Sequence, residues 1–245
     1  MITRRTFLHG GLMAAVSCAV TGPQPSGRHR LHARPGPLTE TPLAPGRFGT
    51  VVGATVVDGY LPVSTRPGPI PCFVFLHGAL RNVPAYVQAL RPALDDTGVL
   101  MVAPHANDNT WDLLYGAYGQ DVIGLDAVLS WVFRRVNVDP ARLCLAGFSD
   151  GATYTLAVGR ANGDLFTRLA AFSPGGLLDT PVTGRPPVHV VHGTTDEILP
   201  YSVSRDVVVP TLRASGYPVT FQSFDGGHGV PLSLATEYLR GLSAP

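Results

Sequence analysis

The pentapeptide Gly147-Phe148-Ser149-Asp150-Gly151 follows the apolar run Leu143–Ala146 and precedes a stretch with helical spacing. Gly-x-Ser-x-Gly between a strand and a helix makes a turn so tight that the serine hydroxyl stands clear of it, ready to attack an electrophile. A hydroxyl is a weak nucleophile, so it needs a base beside it and a carboxylate to orient that base. Two later stretches carry those residue types. His192-Gly193-Thr194-Thr195-Asp196-Glu197 ends the run Val188–Val191, and Asp225-Gly226-Gly227-His228-Gly229 ends the run Phe221–Phe224. The carboxylate and then the imidazole follow the serine by 47 and a further 32 residues, in the order this kind of turn requires.

Each assignment has rivals. For the acid, Glu197 is adjacent, Asp179 lies after the preceding strand, and Asp225 is too close to the base to reach over its ring; Asp196 is favoured. Among the histidines, His189 lies mid-strand, His77 and His192 each precede a glycine and are placed to shape loops, and His105 reads as a rim residue. His228, flanked by glycines at the exit of the last strand, is the expected base. Acyl transfer also needs two backbone N–H groups aimed at the developing oxyanion. Asp150 is expected to supply one and Ala79 the other, with Leu80 as the alternative, from the loop His77-Gly78-Ala79-Leu80.

The elements that hold these residues alternate. Thr50–Val57 is expected as an early strand, closed by Gly59 and Pro62. Phe73–Leu76, Val99–Ala103, Leu143–Ala146, Leu169–Phe172, Val188–Val191 and Val219–Phe224 are apolar, β-rich runs. Helices are expected over Ala85–Leu94, over Asp121–Val136 with Asp121 as a start signal, and over Ala152–Gly159, Ser202–Arg213 and Leu232–Leu242. Apolar strands alternating with helices predict an α/β fold with a mostly parallel sheet covered on both faces, its chemistry at the carboxyl ends of the strands. Only Ser173–Pro186 separates two of those strands, too little for a helical cap, so an open site is expected. The loop Asn107–Gln120 holds Trp111, Tyr115 and Tyr118, an aromatic wall for substrate unless the rings pack the loop down.

The chain has 245 residues, 45% hydrophobic and 14% charged, enough for one sizeable core. All 18 basic residues are Arg, which excludes a P-loop lysine, a Schiff base and a pyridoxal anchor. Residues 1–45 carry five Arg against Glu40 alone, whereas residues 46–245 carry 13 Arg against 16 acids. A mildly acidic body argues against nucleic acid as a partner. The basic end has its own explanation. Thr3-Arg4-Arg5-Thr6-Phe7-Leu8 followed by a short apolar stretch resembles a twin-arginine export signal, expected over residues 1–21. Ala15-Val16-Ser17-Cys18 matches a lipoprotein processing box, with Cys18 acylated as a membrane tether, and Ser17-Cys18-Ala19 matches an ordinary cut. Six prolines over residues 22–46 predict a semi-extended linker, leaving 47–245 as the folded domain. Cys72 and Cys144 read as core thiols in a protein folded before export.

The segments FLHG, GFSDG, HGTTDE and GGHG fall in order over nearly the whole body, and with them the chain resembles the α/β-hydrolase superfamily. It is most similar to the phospholipase/carboxylesterase group and to related polyester-depolymerase and feruloyl-esterase-like enzymes. The resemblance implies a serine esterase without metal or organic cofactor, with Ser149, Asp196 and His228 as its triad and a small-molecule or polymeric ester as its partner. Peptidases and thioesterases share that scaffold, as do binding proteins that have lost a triad residue. One departure stands out: those carboxylesterases carry Gln after the nucleophile, where this chain has Asp150.

Overall fold

The computed structural model describes residues 29–63, 68–79, 82–116 and 118–244. The export signal, Cys18, the start of the linker and Leu80 lie outside the described residues. Eight strands form one sheet: β1 (Gly46–Val52), β2 (Thr55–Leu61), β3 (Ile70–Leu76), β4 (Leu100–Pro104), β5 (Val138–Phe148), β6 (Arg168–Phe172), β7 (Val188–Gly193) and β8 (Val219–Phe224). Their order across the sheet is β1-β2-β4-β3-β5-β6-β7-β8, with β1 and β2 antiparallel and every pair from β4 to β8 parallel.

The apolar runs are explained by two cores. Successive side chains of a strand point to opposite faces, so Cys72, Val74 and Leu76 enter one core while Phe73 and Phe75 enter the other. The first core is covered by α2 (Gln120–Phe133), α3 (Asp150–Ala161) and α4 (Val209–Ala214); the second by α1 (Val83–Thr97) and α5 (Leu232–Ser243). A π-helical turn, Val203–Val208, leads into α4. In α2 the apolar residues at helical spacing, Val122, Leu125, Val128, Leu129, Val132 and Phe133, are all buried.

The same alternation settles the thiols. Cys72 stands opposite Leu143 and Cys144 opposite Phe73, so neighbouring strands carry them on opposite faces of the sheet. Both are free and buried, and burial pushes the Cys144 thiol up to about 12 and the Cys72 thiol up as well.

Three expectations are corrected. Thr50–Val57 is not one strand: Gly53, at φ 61°, turns the chain so that Thr50 pairs with Val57 and Val52 with Thr55. Gly59 does not end a strand but lies within β2, where a side chain would collide with the Phe48 ring and the Met101 carbonyl. Asp121 does not cap its own helix. Its carboxylate accepts from the amides of Asn107 (2.8 Å) and Asp112 (2.7 Å), and Asp112 accepts in turn from the Asp121 amide (2.9 Å).

A fourth correction concerns residues 29–45, expected as part of a linker. They form a strap along α2 and α3. Leu31 is 1% exposed and joins the first core, with Ala33 buried beside it. The Leu31 amide donates to Asn162 Oδ1 (2.8 Å), and those of His32 and Ala33 donate to Asp126 Oδ1 (2.6 and 2.8 Å). Arg30 grips Asp164 with two nitrogens, and Arg34 reaches the same carboxylate at 2.7 Å. Prolines keep the segment out of helix and strand, but they do not prevent an extended chain from docking side chains.

Candidate active site

Ser149 lies between β5 and α3 with φ 56° and ψ −121°, a conformation costly for a residue with a Cβ and common at functional turns. Its neighbours are glycine for steric reasons. A side chain at Gly151 would run into the carbonyls of Leu76 and His77, and one at Gly147 into the Gly151 carbonyl. The Ser149 amide donates to Phe172 O (2.9 Å), which ties the turn to β6. The first amides of α3 have no intrahelical acceptor and present the positive end of the helix dipole beside the serine.

The three strand ends meet. His228 Nε2 lies 2.9 Å from Ser149 Oγ, and His228 Nδ1 lies 2.7 Å from Asp196 Oδ2. A carboxylate only accepts, so Nδ1 carries the proton and Nε2 faces the serine hydroxyl with its lone pair. Asp196 Oδ1 accepts from the amides of Ile198 (2.9 Å) and Leu199 (2.8 Å), so both oxygens are occupied. Burial alone would raise this carboxyl; the hydrogen bonds from His228, Leu199 and Ile198 outweigh it and hold the group below the usual carboxylate range. The rival acids Glu197, Asp179 and Asp225 are exposed. The Phe148 ring stands 4.7 Å from the His228 ring and covers one of its faces.

The other histidines are engaged elsewhere. His77 is buried with Nδ1 on Gly78 O (2.7 Å), and its Nε2 accepts the Ala106 amide (3.0 Å), so it braces two loops. His105 pairs with Asp58 (2.9 Å), and His189 contacts Gln222 (3.2 Å). His192 lies against Asp196, its Nε2 3.2 Å from Oδ2.

The Gly78–Ala79 segment follows β3 and passes over the elbow: a Cβ on Gly78 would lie 3.1 Å from Ser149 Cβ. Gly78 thus borders Ser149, and of the two expected oxyanion donors Ala79 follows Gly78 and Asp150 follows Ser149 in the chain. The Asp150 carboxylate accepts the Thr110 hydroxyl at 2.7 Å, so the acidic side chain that departs from the family pattern anchors the loop after β4.

The aromatic wall does not stand as expected. Trp111 is 1% exposed, stacks on Tyr154 at 4.9 Å and donates its indole N–H to the His77 carbonyl. Tyr118 is 2% exposed and its hydroxyl meets Thr180. Trp111 packs the loop onto α3 and Tyr118 packs it against Thr180, and neither buried ring is open to a substrate, whereas Tyr115 is 69% exposed. Thr110, Ser204 and the Asp112–Asp121 pair took part in no expected contact, because their partners are 9 to 40 residues away and no local pattern marks them.

No family profile matches the chain. It is 29% identical over 165 residues to feruloyl esterase C of Emericella nidulans, covering 56% of this chain and 60% of that protein. It is 28% identical over 151 residues to a bifunctional acetylxylan esterase/xylanase of Neocallimastix patriciarum, covering 58% of this chain and 21% of that protein. The chain thus spans less than two thirds of the length of either relative. Among solved structures, esterase PE8 superposes with a TM-score of 0.60 at 22% identity, over 82% of this chain and all of that one. Strand order, the serine elbow between β5 and α3, and these likenesses give the chain an α/β-hydrolase fold.

Proposed function

We propose that the chain is a serine hydrolase of carboxylic esters. The observation that carries the reading is the hydrogen-bonded series Ser149–His228–Asp196, at 2.9 and 2.7 Å, on a serine held in the strained elbow conformation. Ser149 Oγ attacks the ester carbon as His228 Nε2 takes its proton, and Asp196 stabilises the imidazolium that forms. The amides of Asp150 and Ala79 receive the oxyanion. Collapse of the tetrahedral intermediate expels the alcohol, which takes the proton back from His228. Water then attacks the acyl-enzyme by the same proton path and frees the acid.

Residues 173–187, where a cap would insert, contain neither helix nor strand. An uncapped site suits an acyl group presented on a larger molecule, and the feruloyl and acetylxylan esterase relatives favour such esters as first substrates. The paired Arg4-Arg5 pattern supports delivery across a membrane by twin-arginine export, with Cys18 as a lipid tether. Mass measurement of the exported chain reads both: a lipidated Cys18 supports the tether, and an unmodified cut beyond it removes the tether.

The test is fluorophosphonate labelling of the full chain beside Ser149→Ala. Labelling that vanishes in the variant, with ester turnover lower by about 10⁴–10⁶-fold, supports the reading. A folded parent that neither labels nor hydrolyses esters overturns it.

A further inference from the structure

Asp196, the carboxylate on His228, touches a second imidazole. His192 is the penultimate residue of β7, four residues before Asp196, and both side chains are fully buried. His192 Nε2 lies 2.9 Å from the Leu199 carbonyl and 3.2 Å from Asp196 Oδ2, while Nδ1 lies 2.7 Å from Ser204 Oγ. The partners decide where its proton sits. A carbonyl and a carboxylate can only accept, so Nε2 bears the hydrogen and Nδ1 accepts from the Ser204 hydroxyl. Ser204 belongs to the π-helical turn Val203–Val208, an irregularity often retained at functional sites.

These contacts close a ring. The imidazole N–H donates to Leu199 O, and the Leu199 amide donates to Asp196 Oδ1 (2.8 Å). Asp196 Oδ2 then lies between His192 Nε2 and His228 Nδ1. The titratable groups facing His192 are Asp196 and Tyr201, whose ring stands edge-on at 6.0 Å.

We propose that His192 is a positioning residue for the triad: it fixes the turn 196–199 so that Asp196 Oδ2 meets His228, and it draws part of that carboxylate's charge away from the catalytic base. The proposal rests on the ester-hydrolase reading above. Its consequences differ from those of a mere core histidine. Loss of the Nε2–H lets Asp196 swing and also leaves its charge undivided on His228, which favours the imidazolium. The acid limb of kcat/KM should then move to higher pH as kcat falls.

The experiment uses the full chain and its His192→Phe and His192→Gln variants. For His192→Phe, kcat is expected to fall about 10–100-fold with KM little changed, as for a small misplacement of a catalytic group, and the acid limb to rise. The Gln amide places an N–H near the former Nε2, so His192→Gln should recover most of kcat and return the limb toward the parent's. Loss of thermal stability in His192→Phe with the parent's kcat and pH profile overturns the proposal. If His192→Phe does not fold, the parent's imidazole nitrogen spectrum decides: a neutral His192 protonated on Nδ1 overturns it, and one protonated on Nε2 supports it. A parent that is not labelled at Ser149 removes both readings, whereas a labelled parent matched in rate by His192→Phe removes only this one.

Discussion

Leu31 offers the sharpest test of where the folded body begins. Leu31→Ala removes three carbons from a side chain that is 1% exposed and packed into the core between the sheet and α2, α3 and α4. At about 0.8 kcal/mol for each buried carbon, the transfer loss is about 2.4 kcal/mol. A residual cavity would add to this, but a strap that belongs to neither helix nor strand can settle inward, so about 2–3 kcal/mol is expected, at the low end for Leu→Ala. For a domain of this size each kcal/mol lowers Tm by about 2–4 °C, which gives a fall of about 4–12 °C. A point change is preferable to deleting the strap, because deletion also relieves the backbone entropy spent in ordering it, and the two effects oppose one another. Ester turnover below the melting range should not change, since Leu31 touches no member of the triad. Thermal unfolding followed by circular dichroism reads the shift. A Tm within about 1 °C of the parent's would refute the docking argument and return residues 29–45 to the role of a linker.

The remaining predictions concern the site and its supports. Trp111→Ala should cost about 3–5 kcal/mol, while Tyr115→Ala should stay within about 0.5 kcal/mol; a Trp111→Ala variant with the parent's Tm and a raised KM would restore the wall. Asp196→Asn should lower kcat by about 10⁴-fold by favouring the wrong tautomer of His228, and Glu197→Gln should keep the parent's rate; the reverse pattern in steady-state assays would move the triad acid by one residue. Burial would raise the Asp164 carboxyl, but hydrogen bonding and charge from Arg30, with Arg34, hold it below the usual range. A depressed carboxylate stabilises fully above its unfolded value, about 3.9, and loses that contribution as pH falls through the folded value. The Tm advantage of the parent over Asp164→Asn should therefore be constant near neutrality and shrink below about pH 4; an advantage that persists in acid would show that Asp164 does not hold the strap through charge.

Legibility in the sequence tracked the range of the cause. Buried parallel strands are apolar on both faces, so β3 to β7 announced themselves as runs, and the six buried apolar positions of α2 repeated with the helical period. The elbow was legible because its constraint is local: glycines within two residues of Ser149 are required by carbonyls that would otherwise be struck. The meeting of Asp196, His228 and Ser149 was legible because strand ends in such a sheet converge, so residues 79 apart in the chain become neighbours once the strands are placed. The hairpin was not, because Gly53 and Gly59 are the same residue type with opposite uses. One turns the chain and the other makes room for Phe48.

The strap and the aromatic loop failed for a different reason, and it bears on how such sites should be read. Trp111 has one composition-level signature, a large amphipathic ring in a long loop after a catalytic-end strand, and two possible surroundings. What decides between them is Tyr154, 43 positions later on α3, which offers a stacking face, and the His77 carbonyl, which needs a donor. The same holds for residues 29–45, whose prolines correctly forbid helix and strand while Asn162, Asp126 and Asp164 supply acceptors for the extended backbone and its arginines. A nucleophile can be recognised from its own turn because strain is a property of that turn. Whether a ring lines a pocket or fills a core depends on which unsatisfied partner reaches it first, and that partner is written elsewhere in the chain.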